Sequence, residues 1–163
     1  MKHWMGIVLA AGLCFCTACG SGGEPSQTSQ AEVQTEQATA ATAPAPESGA
    51  RVTAVGTNAM AAAALRKAGA DAAATGENAV IVACRTADVI VGPVGIVIAD
   101  AMLGEITPAM ARAVGQSLAR RVLIPFETCN NIVVGAEGMS VSALLKKAVE
   151  AVAALAVEET LAK

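Results

Sequence analysis

An α/β fold built on a mostly parallel sheet is what this sequence predicts, and three observations predict it. Short apolar runs rich in valine and isoleucine alternate with alanine-rich stretches of helical length. The runs are continuous rather than polar at every second residue, the pattern of strands covered on both faces. Glycine, proline and asparagine collect where the runs end, as turns require. Strands alternating with helices make a sheet with helices on either side, and about four strands are expected.

The elements follow in order from Arg51. Val52–Gly56 reads as a short buried strand. Asn58 offers a side-chain cap to a helix running through Ala68 and closed by Gly69. Thr75, Gly76, Glu77 and Asn78 form a turn that starts a short helix ending at Cys84. Asp88–Val91 enters a strand that Gly92-Pro93 breaks. Residues 96–103 are apolar and fit helix or strand equally. Thr107-Pro108 pairs a hydroxyl cap with proline at the first helical position, which predicts a helix to about Leu118. Val122–Ile124 is a strand stopped by Pro125, and Ile132–Val134 is another, stopped by Gly135. Ser140 caps a last helix, with Val141, Leu144, Leu145, Ala148, Val152, Leu155 and Ala156 at helical spacing.

The amino terminus reads differently. Lys2 precedes the apolar run Trp4 to Ala11, and Cys16-Thr17-Ala18-Cys19-Gly20 closes it with small residues before a cysteine. This is the layout of a secretory signal peptide, and it resembles the lipobox of bacterial lipoproteins, although Cys16 stands where leucine is usual. The resemblance implies removal of residues 1–18, lipidation of Cys19, and an exported protein on the cell membrane or outer membrane. A membrane-spanning anchor is the alternative, but the run is shorter than the roughly 20 residues a spanning helix needs. From Gly20 to Ala50 the chain is Ser, Gly, Glu, Gln, Thr, Ala and Pro with almost no large apolar residue. Such a composition predicts a disordered tether. The expected organisation is therefore a signal peptide over 1–18, a lipidated cysteine and tether over 19–50, and an α/β domain over 51–163.

Composition restricts the chemistry. The formal net charge is -3, and the lysines and arginines from Arg51 onward balance the acids. No basic stripe marks a nucleic-acid surface. Phe126 is the one aromatic residue after the leader, so a base-stacking platform is excluded too. The sole histidine is His3, and tyrosine is absent. Serine–histidine and cysteine–histidine nucleophiles are thereby excluded from residue 19 onward. Cys84 and Cys129 fit either a disulfide or two buried free thiols. Any catalysis would rest on Glu77, Asp88, Asp100, Glu105 or the Cys129 thiol, and a non-enzymatic role is the stronger expectation. The residues do not identify a cofactor.

In parallel sheets ligands lie beyond the carboxyl ends of strands. The residues collected there are Thr57 and Asn58; Thr75, Gly76, Glu77 and Asn78; Gly92 and Gly95; and Asn130. They are the candidate ligand-binding set, and each would serve equally as a plain turn residue. No metal site is expected, since no paired spacing of ligands occurs.

Several longer runs carry a resemblance: Gly56-Thr57-Asn58, Lys67 to Asp71, Ala74 to Ala79, Asp88 to Ile96, Met102 to Pro108, and Ile124-Pro125 to Asn130. In this order they look like a bacterial domain family of unknown function numbered 3842, over nearly everything from Val52 to about Ala154. The family is similar to Rossmann-like proteins, so the resemblance implies a three-layer Rossmann-like sheet. It also implies a first strand followed by a glycine-rich, phosphate-cradling loop. A leader and tether in that place would leave both missing and the sheet open at an edge. The expectation is a membrane-tethered lipoprotein that binds a small polar or anionic ligand. The alternative is a non-enzymatic envelope protein that associates with further copies of itself.

Overall fold

The structure is a computed structural model that describes residues 5–10, 50–126 and 131–161. Among the described residues there are five strands: β1 (Met5–Ala10), β2 (Arg51–Gly56), β3 (Ala72–Thr75), β4 (Val89–Pro93) and β5 (Arg120–Ile124). They form one sheet in the order β3-β2-β1-β4-β5, and every pairing is parallel. Four helices accompany them: α1 (Ala59–Lys67), α2 (Glu77–Cys84), α3 (Pro108–Gln116) and α4 (Val141–Leu161).

Three expectations are corrected here. Among the described residues the sheet has five strands, where about four were expected. The first strand is not missing, because Met5–Ala10 pairs with β2 along its whole length and with β4 over Gly6 to Val8. The domain therefore draws on residues ahead of Arg51. Ile132–Val134, expected as a strand, pairs with nothing in the sheet, and Ile132 and Val134 are 88% and 90% exposed. Ala72–Thr75 takes a sheet position instead, as an edge strand whose Asp71 holds β2. The Asp71 carboxylate accepts from the Val52 N–H at 2.7 Å, and the Asp71 N–H donates to the Val52 carbonyl at 2.9 Å. Cys19 and the expected tether over 19–50, save Ala50, lie outside the described residues, as do Cys129 and Asn130.

Helix ends behave as their residues require. Asn58 accepts from the Ala61 N–H at 2.9 Å, and Thr107 accepts from the Met110 N–H at 3.2 Å. Each hydroxyl or amide oxygen satisfies a donor that the first helical turn leaves free. Ser140 does the same for α4 through the Ala143 N–H at 3.2 Å. The ambiguous stretch after β4 is neither long helix nor strand. It makes one 3₁₀ turn, Val94–Val97, and then a tight loop in which Asp100, Met102 and Leu103 adopt left-handed φ of 61°, 57° and 59°.

Neighbouring strand residues face opposite ways, and the core divides accordingly. Val55 and Ile90 pack with Val80 and Cys84 of α2 and with Met110 and Val114 of α3. Ala54, next to Val55, packs with Leu65 of α1. Val91, next to Ile90, and Val122 pack with Leu144 and Ala148 of α4 around Ile124. Helices thus cover the sheet from both sides. Burying these side chains is the main stabilising term, at about 25 cal/mol for each Å² of apolar surface.

Candidate functional site at the carboxyl edge of the sheet

The strand ends lie on one line. Ala10 pairs with Gly56, Gly56 with Thr75, and Pro93 with Ile124; Val8 pairs with Val91, which sets Pro93 level with Ala10. All five strands therefore end together. The residues that follow them are the ones the sequence singled out, and Thr57, Asn58, Thr75, Gly76, Glu77, Asn78, Gly92 and Gly95 all belong to this edge. Asn130 lies outside the described residues.

Gly56 is buried and allows a sharp exit from β2. A Cβ there would meet the Ala62 nitrogen at 2.6 Å and the Asn58 oxygen at 2.8 Å, so only glycine lets the start of α1 come this close. Gly76 has φ of 93°, which an L side chain rarely adopts, and its N–H donates to the Gly56 carbonyl at 3.0 Å. The ends of β2 and β3 are thereby locked together, and Glu77 begins α2 beside them. An acidic residue in a first helical turn is favoured by the helix dipole.

Two side-chain pairs bridge this edge to the loop before α3. The Thr57 hydroxyl donates to the Glu105 carboxylate at 2.9 Å, and the Thr107 hydroxyl donates to the Glu77 carboxylate. Ile106 between them is fully buried and anchors the loop. Its carbonyl accepts from the Asp100 N–H at 2.8 Å. Two carboxylates and two hydroxyls thus stand along one edge. Carboxylates accept hydrogen bonds, and hydroxyls accept or donate. Glu105 was named only as a possible catalytic carboxylate and Thr107 only as a helix cap, so neither was in the ligand-binding set; both sit in the Met102–Pro108 run, whose specificity was the available signal.

Other chemistry-bearing residues are elsewhere. Asp88 precedes β4 and so lies at the opposite, amino edge. Asp100 is exposed in the loop. Cys84 is a buried free thiol, and burial pushes its pKa up. Among the described residues no three histidine, cysteine or acidic side chains converge as metal ligands. No helix among them is long and apolar enough to cross a membrane.

A parallel α/β sheet with hydrogen-bonded loops along its carboxyl edge is the class this geometry defines. The chain matches the family described as "Domain of unknown function (DUF3842)" over residues 36–157 and belongs to it. No curated protein and no solved structure matches the chain.

Proposed function

We propose that this domain is a binding module for a small polar ligand, held beyond the carboxyl ends of β1, β2 and β4. The observation that carries the reading is the pairing of Thr57 with Glu105 and of Glu77 with Thr107 along that edge. The strand order supports the location. From β1 the chain proceeds to β2 and β3 on one side, then crosses to β4 and β5 on the other. In such three-layer, Rossmann-like sheets the reversal opens a crevice between the two central strands, and ligands bind there. Carboxylates at the edge favour a ligand with hydroxyl donors, such as a sugar or a nucleoside. A phosphate group would instead depend on backbone N–H groups at the helix starts.

The test is a thermal-shift and NMR titration of the full chain against sugars, nucleosides, sugar phosphates and nucleotides. A hit whose binding is weakened at least tenfold by Thr57→Val and by Glu105→Gln supports the site. Binding that both variants leave unchanged rejects it.

Self-association is a second reading, favoured by the exposed Ile132 and Val134 and by Val141 and Val149 on α4. Contiguous exposed apolar surface marks contact sites. Sedimentation over a concentration series distinguishes a monomer from a dimer. Membrane attachment through Cys19, the expectation from the leader, would require processing that removes residues 1–18 and β1 with them.

A further inference from the structure

We propose that residues 1–18 stay with the folded protein, because the slot between β2 and β4 is built for Met5–Ala10 of this same chain. The strand order makes β1 the central strand. β2 bonds only to β1 and β3, and β4 only to β1 and β5. Nothing else among the described strands joins the two halves. Ile7 shows the position most plainly, since it pairs with Thr53 on one side and with Ile90 on the other.

A central parallel strand has a neighbour on each side, so its N–H and C=O groups find ladder partners in both directions. Without β1, the facing edges of β2 and β4 would both be unpaired at the centre of the molecule. Open edges of this kind recruit other strands. The run that reads as the apolar centre of a leader therefore has a second, incompatible use. Cleavage before Cys19 would take away the strand that closes the sheet.

Three proteins and one peptide, with a fourth protein as control, test this. They are the full chain, a chain of residues 19–163, the variant Ile7→Pro, and a synthetic peptide of residues 1–12. Gln30→Pro serves as a control in the β1–β2 connection. The full chain and Q30P melt cooperatively and alike. I7P and the 19–163 chain lose the cooperative melt, because proline removes a ladder donor at the centre of a sheet. Adding the peptide to the 19–163 chain restores the transition. In expressing cells, the folded protein's intact mass includes the residues up to Ala18. A 19–163 chain that melts like the full chain overturns the proposal. So does I7P melting like the full chain, or a folded cellular protein that begins at a lipid-modified Cys19.

Discussion

Gly56 sets the geometry of the candidate site more tightly than any charged residue does. Its missing side chain is what lets the Asn58-capped start of α1 fold back over the end of β2. Gly56→Ala forces backbone atoms apart and is expected to cost about 1–3 kcal/mol, the usual range for overpacking. Gly115 in α3 gives the opposite result, since nothing lies within 4 Å of a Cβ there. Gly115→Ala is expected to stabilise by up to about 1 kcal/mol through helix propensity. Urea midpoints of the two variants should move in opposite directions. Cys84 makes a second residue-scale prediction. Its desolvated thiol holds a proton in the folded state past the pH where the unfolded chain releases it. That contribution is complete below the unfolded pKa, roughly 8.5, and is lost as pH rises above it. Wild-type stability should therefore fall more steeply than that of Cys84→Ala between about pH 8 and pH 10. Parallel slopes would show that the thiol is not desolvated.

At the scale of elements, helix caps were legible and some strands were not. Asn58, Thr107 and Ser140 each cap the helix that follows, because a short polar side chain before an apolar run has few other uses. β2, β4 and β5 were legible from their valine and isoleucine runs. β3 was not, since Ala72, Ala73 and Ala74 carry no strand preference of their own; pairing with β2 and the Asp71 bonds place it. Ile132–Val134 has the composition of a strand, yet it joins no ladder. β1 was hidden by a true ambiguity, because an apolar hexamer at an amino terminus fits a leader and a buried strand equally well. The candidate edge was legible in its strand-end residues, but the pairing of Glu105 with Thr57 and of Thr107 with Glu77 was not, because it is made only through the loop after β4. Thr107 does two jobs there, capping α3 and donating to Glu77. Thr107→Ala is expected to cost more than Asn58→Ala, at about 1–2 against about 1 kcal/mol. In a double-mutant cycle with Glu77→Gln, a coupling of at least about 0.5 kcal/mol would confirm the bridge. Additive losses would show that the cap alone matters.

For the whole molecule, the connection from β1 to β2 is the decisive piece. Parallel neighbours cannot be joined by a tight turn, so the chain must return from the carboxyl edge to the amino edge before Arg51. Residues 11–50 separate the two strands in the chain, and the family match begins within them, at residue 36. Residues 20–35 precede the match and hold one large apolar side chain, Val33. They have little to bury, so their deletion should leave the fold intact. The 24 residues that remain between Ala10 and Arg51 exceed the dozen or so that a parallel crossover needs. Shortening the loop also lowers its closure entropy, which predicts a gain of about 0.5 kcal/mol. The deletion variant should therefore melt cooperatively at or slightly above the midpoint of the full chain. A lower midpoint would mean that residues 20–35 pack on the domain.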